Sequence, residues 1–352
     1  VASMLDSFVI SASCADTPAP IPLPVGAPAS GLTSSGASFG SFSLHGLNHS
    51  AFDAEAKRSR GRFTRPSFRL GQMINRLLKQ TGLTPDCIRG PRSGLVSGSQ
   101  FGCAQVYDMH SRLRRFGPRG IDAVRFAQAT HNYPISAAAI DFGLQGPCLA
   151  VVSTALAGLD ALQCAFDWLR DDRCDRVLVA AYEDFAPPLT THLAQRCRAN
   201  PTKSYGEAMV LVLLERPALA AARGLENLPM LSVSSAKMES GPGKNQNLGQ
   251  GQGTTLDLCP DGIDYLGASG LVALHHLLNR SLVQQRGAEP LRLHLPGLAT
   301  TGIGLTLTGG CDDIEPEPGD EGEAAVHLTE GPPSPDAGAP ETEPAEAGTG
   351  EE

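Results

Sequence analysis

A strand, a helix and two more strands follow one another between residues 146 and 216, and this order constrains the fold more than any other feature. The first strand is predicted at residues 148–152, where five apolar residues run without a charge. The next apolar residues repeat at the spacing of one helical face: Ala155, Leu159, Leu162, Phe166 and Leu169. Residues 177–181 and 208–214 are apolar on both faces, which indicates strands covered by helices. The pattern therefore predicts a layered α/β fold.

The flanking segments extend this prediction in both directions. Helical spacing covers residues 66–81 and a segment rich in small residues at 121–142, and a basic helical stretch lies between them. Residues 92–99 indicate a short buried strand. In the second half we expect strands at 228–236 and 291–295, a helix at 266–282 and a turn-rich segment at 302–310.

Composition divides the chain into four regions. Residues 1–52, rich in Pro, Gly and Ser after residue 15, are predicted to be poorly ordered with one strand. Residues 53–226 and 227–310 form the two halves of the fold. The region 311–352 contains 14 acidic residues and no Lys or Arg from residue 312 onward, which predicts a disordered tail. The net charge of −9 therefore belongs to the tail, because residues 1–311 carry 28 basic and 23 acidic groups, a balance of +5.

The chain is expected to be cytoplasmic. No uninterrupted apolar run of about 18 residues occurs, and residues 1–24 lack the basic and apolar regions of a signal peptide. The nine cysteines include no C-x-x-C pair, which favours reduced and mostly buried thiols. Val1 indicates either an unusual start codon or a trimmed fragment, and the sequence leaves both open.

Generic motifs give little indication of chemistry. The glycine-rich loop at 241–253 departs from a phosphate-binding loop, because Asn245 follows Lys244 where Ser or Thr is required. His275 and His276 are adjacent and point about 100° apart on a helix, so they do not form a metal site. The arginines between residues 58 and 69 indicate a basic surface for an acidic protein partner more than for nucleic acid. No cofactor and no metal are expected.

Residues 143–184 carry a specific resemblance. The stretch GLQGPCLAVVSTALAGLDALQCAFDWLRDDRCDRVLVAAYED resembles the core of the β-ketoacyl synthase family, which runs G-L-x-G-P, strand, nucleophile turn, helix and D-x-x-L-V-x-G-G-x-E. RFAQATHNYPISAAAIDFGL at 125–144 resembles the family's interface helix, and YGEA at 205–208 its G-E-G-A motif. The resemblance covers residues 62–226 and implies a thiolase-like α-β-α fold with a shortened second half.

The same resemblance implies that the catalytic groups are missing. The family uses a cysteine thiolate at a helix N-terminus and two histidines. Ala155 occupies the nucleophile position, whereas Cys148 lies on the preceding strand and Cys164 inside the helix. Asp264 stands where one histidine belongs, and the stretch that should hold the other histidine is absent. The sequence TGIGLT at 301–306 resembles the family's G-F-G-G-T-N loop only weakly. No catalytic residue is therefore assigned.

A ketosynthase-like core without its catalytic groups is similar to that of chain length factors. These proteins are the inactive partners of ketosynthases in polyketide and aryl-polyene systems. The resemblance implies a heterodimer with a catalytic ketosynthase, or a homodimer, and an acyl carrier protein as a second partner. It implies a tunnel and partner interface formed by these residues: Thr130, His131, Asn132, Tyr133, Ile135, Cys148 and Val152. Tyr133 and His131 are the candidates for closing the tunnel, although both could simply pack at an interface. Carrier docking is expected at Arg112, Arg114, Arg115 and Arg119, with an ordinary solvated helix face as the alternative.

Two other functions remain open at this point. The chain could be an acyl-thioester enzyme that uses the same pocket with Asp264 as general base. It could also be a degenerate regulatory protein that binds carriers or acyl chains. The leading hypothesis is a non-catalytic ketosynthase-like subunit in polyketide or fatty-acid-type biosynthesis.

Overall fold

The computed structural model describes residues 7–18, 44–47, 50–53, 63–121, 123–199, 203–225, 228–233, 253–255, 258–259, 262–284, 291–295 and 303–307. The acidic tail, the glycine-rich loop at 241–252 and the arginines at 58, 60 and 62 lie outside the described residues.

The first half of the described chain alternates strands and helices. Its strands are β1 (Ser7–Asp16), β2 (Leu44–His45), β3 (Ser93–Ser99), β4 (Cys148–Val152), β5 (Arg176–Tyr182), β6 (Ser204–Gly206) and β7 (Met209–Glu215). Its helices are α1 (Arg65–Thr81), α2 (Pro85–Ile88), α3 (Gln105–Phe116), α4 (Ala123–Gln128), α5 (Tyr133–Phe142), α6 (Ala157–Arg170), α7 (Pro187–Ala199) and α8 (Pro217–Ala221). A 3-10 turn at Gly117–Gly120 links α3 to the segment before α4.

The second half contributes shorter elements. They are β8 (Met230–Val233), β9 (Gly253–Thr255), β10 (Ile263–Asp264), α9 (Ser269–Gln284), β11 (Leu291–Leu295) and β12 (Ile303–Leu307). A 3-10 turn at Leu266–Ala268 leads into α9.

Within the described residues, nine strands form one mixed sheet with the order β4-β3-β5-β7-β1-β8-β12-β11-β9. The strands β4 and β5 both pair in parallel with β3, whereas β7 pairs antiparallel with β5 and with β1. A second, small sheet has the order β10-β6-β2 and is parallel. The strand expected within residues 1–52 is β1, which lies inside the large sheet between β7 and β8.

Helices cover both faces of this sheet. Successive strand residues alternate between the two faces, so Leu95 packs in one apolar cluster and Val96 in the other. The Leu95 cluster includes the buried face of α1 and residues of α5, and the Val96 cluster includes α6 and α9. This arrangement confirms the predicted α-β-α layers.

Two local expectations were wrong. The helical segment predicted at 121–142 is two helices, α4 and α5, because the chain turns at residues 129–132 and Pro134 starts the second helix at its first positions. The segment predicted to be turn-rich at 302–310 contains β12, because Ile303, Leu305 and Leu307 alternate with smaller residues at strand period.

Among the described residues, no cysteine forms a disulfide bond. Cys14, Cys103, Cys174 and Cys197 are buried, whereas Cys87 and Cys148 are exposed, so the expected burial holds for only part of the set. Where the chain is described, its helices are too short or too polar to cross a bilayer.

Candidate functional site

The nucleophile position lies in the turn between β4 and α6. Ala155 is exposed and stands two residues before the helix begins at Ala157. The turn is closed by the amide of Ala157, which donates to the Thr154 carbonyl at 3.0 Å, and by Leu156 N, which donates to Thr154 Oγ1 at 3.2 Å. A side chain at position 155 therefore sits beside the positive end of a 14-residue helix, where a thiolate would be stabilised. The alanine methyl group has no lone pair and no acidic proton for this environment to act on.

Neither neighbouring cysteine replaces the missing thiol. Cys148 opens β4 on the strand side of the turn, and Cys164 lies in the middle of α6. Partial loss of hydration raises the pKa of both thiols, even though Cys148 lies on an exposed strand position. A raised pKa makes both groups poorer nucleophiles at neutral pH than a free cysteine.

Asp264 ends β10 and is held by its own loop. Its Oδ1 accepts hydrogen bonds from Leu266 N at 2.9 Å and from Ser269 Oγ at 3.4 Å, and its Oδ2 lies 3.7 Å from Lys203 Nζ. The loop is backbone-strained, because Leu266 adopts a φ of 57°, a left-handed value that is unusual for leucine. The Asp264 carboxylate thus stabilises a strained turn by accepting hydrogen bonds from it. A histidine at this position could not offer the same two carboxylate oxygens.

The fold brings the Asp264 loop and the Ala155 turn together. A Cβ added to Gly158 would lie 3.0 Å from the carbonyl oxygen of Gly267, and one added to Gly98 would lie 2.6 Å from Gly158 N. Both glycines are required by these close approaches. The first turn of α6 is therefore enclosed between the end of β3 and the loop after β10.

A buried carboxyl group that the sequence analysis did not select lies beside this junction. Glu183 follows β5 and is 3% exposed. Its Oε1 accepts hydrogen bonds from the amides of Gln100 and Gly267, the latter at 3.1 Å, and its Oε2 accepts one from Phe101 N at 3.3 Å. Burial raises its pKa from 4.5 to about 8, although these amides and the Ser99 side chain oppose the increase. The sequence pattern pointed only to its neighbour, because D-x-x-L-V-x-G-G-x-E aligned on Asp175, Leu178 and Val179 ends at Asp184 and not at Glu183.

Five of the seven predicted tunnel and interface residues lie at or just before the start of α5, and the other two, Cys148 and Val152, lie at the ends of β4. Thr130 and Asn132 are exposed, His131 and Tyr133 are half-buried, and Ile135 is fully buried in the cluster beneath α1. His131 Nδ1 accepts a hydrogen bond from Cys103 N at 3.2 Å, and burial lowers the pKa of this imidazole. The structure thus places His131 against the loop after β3, while Ile135 belongs to the core.

The predicted docking arginines form a basic surface on α3 and the turn after it. Arg114, Arg115 and Arg119 are exposed, and Arg112 donates from Nε to Asp108 Oδ2 at 2.9 Å. Arg115 lies over the ring of Phe116, with 5.0 Å from Cζ to the ring centroid. This surface mixes cationic groups with exposed apolar side chains, since Leu113 and Phe116 are 41% and 55% exposed.

The strand β4 forms one edge of the large sheet. Where the chain is described, it pairs only with β3, so its outer backbone groups face away from the sheet. Leu149 and Val152 on this strand are 44% and 42% exposed, and Ile140 on α5, which packs beside β4, is 77% exposed. An open strand edge flanked by exposed apolar side chains is typical of a surface that another chain covers.

Both ring nitrogens of His275, the first residue of the histidine pair, contact other side chains. His275 Nδ1 lies 3.0 Å from Ser13 Oγ, and its Nε2 lies 3.1 Å from Asn279 Nδ2. Within the described part of the chain, no group of three or more His, Cys, Asp or Glu side chains is arranged to hold a metal ion.

Comparisons with known proteins agree with this geometry. Residues 42–210 match the family model for the β-ketoacyl synthase N-terminal domain. Polyketide synthases GfsE and GfsB from Streptomyces halstedii are 28% and 27% identical over 214 and 168 residues, which are 54% and 42% of this chain. The chain spans only 5% and 3% of the lengths of these two relatives.

Solved structures share the fold at low sequence identity. A chain of the AntDE:AntF complex, a type II polyketide synthase acyl-carrier protein with its ketosynthase bound to the hexaketide, has a TM-score of 0.63 and 15% identity. The match covers 86% of this chain and 99% of that one. A β-ketoacyl synthase from Burkholderia phymatum has a TM-score of 0.57 and 13% identity, with 75% and 87% of the two chains covered.

Proposed function

Because the chain belongs to the β-ketoacyl synthase family, we propose that it is a non-catalytic subunit of a polyketide or fatty-acid-type synthase. In this proposal it pairs with an active ketosynthase and shapes its partner's acyl tunnel, as a chain length factor does. The observation that carries the proposal is Ala155, a methyl group at the helix end where the family's chemistry needs a thiolate.

The surroundings of Ala155 support loss of chemistry with retention of the fold. The turn is followed by the full α6 helix and is enclosed by close glycine contacts, which supports a site that keeps its architecture without its nucleophile. Condensation needs a nucleophile that can carry an acyl group as a thioester, and no cysteine lies in the turn. Asp264 is committed to the backbone of its own loop.

The partner surface in this proposal is the β4 edge. A second chain that places its own strand beside β4 would pair the outward backbone groups and cover Leu149, Val152 and Ile140. Burial of apolar side chains of this size is worth about 1.5–3 kcal/mol each, which favours a lasting complex over a transient one.

The tunnel and the carrier surface are further parts of the proposal. Tyr133 and His131, half-buried at the start of α5, would limit chain growth, because a methylene group without room clashes. The arginines of α3 would receive an acidic carrier protein, with complementary charge steering the encounter.

Co-expression with a ketosynthase encoded nearby, followed by affinity capture, tests the proposal. We expect a stable 1:1 complex. Leu149→Asp should abolish it by placing a charge on the edge, whereas Leu113→Asp, at a leucine of similar exposure on α3, should leave it intact. Capture of no ketosynthase by the folded wild-type chain would contradict the proposal, and turnover of acyl-CoA by the isolated chain would instead support an enzyme that uses Asp264.

A further inference from the structure

Two loops that are distant in sequence meet beside the first turn of α6. We call them the β3 loop, residues 99–102, and the β10 loop, residues 265–268. A Cβ added to Gly267 would lie 2.8 Å from the carbonyl carbon of Ser99, so the two loops are in direct backbone contact. Only a glycine permits this approach.

The carboxyl group of Glu183 is bonded to both loops at once. Oε1 accepts from the amide of Gln100 in the β3 loop and from the amide of Gly267 in the β10 loop, and Oε2 accepts from Phe101 N. The backbone of Glu183 is also fixed, because its amide donates a hydrogen bond to the Ala208 carbonyl at 3.0 Å. A single buried side chain thus provides the acceptors for backbone groups that no sheet or helix pairs.

The β3 loop carries this restraint to the predicted tunnel residues. Gly102 N donates to Ser99 Oγ at 2.7 Å, and Cys103 N donates to His131 Nδ1 at 3.2 Å. The ring of His131 also packs against Gly102, where a Cβ would collide with it. The position of His131 therefore depends on the position of the β3 loop.

We propose that Glu183 is a positioning residue whose carboxyl group clamps the β3 loop to the β10 loop and so fixes both loops beside the first turn of α6. It touches no reacting group and acts through the two loops. The clamp follows from the structure of the isolated chain, whereas any effect on product length rests on the proposed function.

Hydrogen exchange measured by mass spectrometry on the full chain tests the clamp. In Glu183→Gln one of the two acceptor oxygens becomes an NH₂ group that opposes a backbone N–H. We expect amide exchange in peptides covering both loops to accelerate about tenfold. Peptides from α1 should not change, which separates a local opening from global destabilisation.

Glu207→Gln is the matched control. Glu207 is also 3% exposed and accepts backbone hydrogen bonds from Phe185 N at 3.1 Å and from Leu47 N at 2.8 Å, two residues outside both loops. Its substitution should leave exchange in both loops unchanged. Unchanged exchange in Glu183→Gln, or a change confined to one loop, would overturn the proposal.

A second variant keeps the test decisive if Glu183→Gln does not fold. Gly267→Ala retains the carboxyl group and forces the loops apart, so both should again exchange faster, and protection equal to wild type would refute the clamp. In a complex with an active ketosynthase, Glu183→Gln should broaden the product lengths. Faster exchange with an unchanged product profile would count against the proposed function and leave the clamp standing.

Discussion

The buried carboxyl group of Glu183 predicts an unusual dependence of stability on pH. Its pKa is raised from 4.5 to about 8, mainly by burial, so between these values the folded chain holds a proton that the unfolded chain has released. The stability that this group contributes is therefore fully present below pH 4.5 and is lost as the pH rises through 8. Glu183→Gln cannot titrate and should lack this loss.

The size of the effect follows from the same two pKa values. One pKa unit corresponds to about 1.4 kcal/mol, so the contribution of Glu183 should fall by about 5 kcal/mol at most between pH 4.5 and pH 9. Two of the ionisable groups beside it do not titrate in this range. Tyr107 and Tyr182 both have raised pKa values and stay neutral, and Asp184 is paired with Arg65.

Urea unfolding at a series of pH values measures this contribution. Trp168, the only tryptophan in the sequence, is 8% exposed in the main core and reports unfolding by fluorescence. The quantity of interest is the difference in unfolding free energy between wild type and Glu183→Gln, because other titrating groups cancel in it. A difference that stays constant from pH 5 to pH 9 would refute the assignment of a raised pKa to Glu183.

Three further predictions concern other parts of the molecule. Burial lowers the pKa of His275 from 6.5 to about 4, so the free energy of unfolding of the wild type should fall by about 3 kcal/mol as the pH falls from 6.5 to 4. Acid unfolding of His275→Gln should not show this decrease. Glu215→Gln leaves two partly buried arginines without their carboxylate and should lower the unfolding free energy by about 3 kcal/mol in urea, whereas Asp108→Asn, at an exposed ion pair, should cost less than about 1 kcal/mol. Tyr133→Ala, paired with an active ketosynthase, should lengthen the products analysed by mass spectrometry, and unchanged product length would argue that Tyr133 only packs.

The sequence predicted those elements whose pattern is local. The strand β4 has the predicted bounds, and α6 buries the predicted leucines because their spacing matches the helical period. The helix nevertheless begins after Ala155, which counts as part of the apolar spacing but stands exposed in the turn. The resemblance to the family, and not the apolar periodicity, therefore identified Ala155 as the residue at the nucleophile position.

Features that depend on distant partners could not be predicted in the same way. The strand β1 lies next to a Pro-rich segment, and its place inside the sheet comes from pairing with β7, about 200 residues later, as in Val9 with Glu215. The burial of Glu183 likewise depends on Gly267, 84 residues away. Neither contact leaves a periodic trace in the sequence.

The central claim is that this chain carries no acyl group while its partner does. The most direct measurement is the intact mass of both chains after the purified complex has been incubated with an acyl-loaded carrier protein. We predict an acyl adduct on the ketosynthase partner and an unchanged mass for this chain, because Ala155 cannot form a thioester. An acyl adduct on this chain, localised to any residue near the turn before α6, would contradict the account.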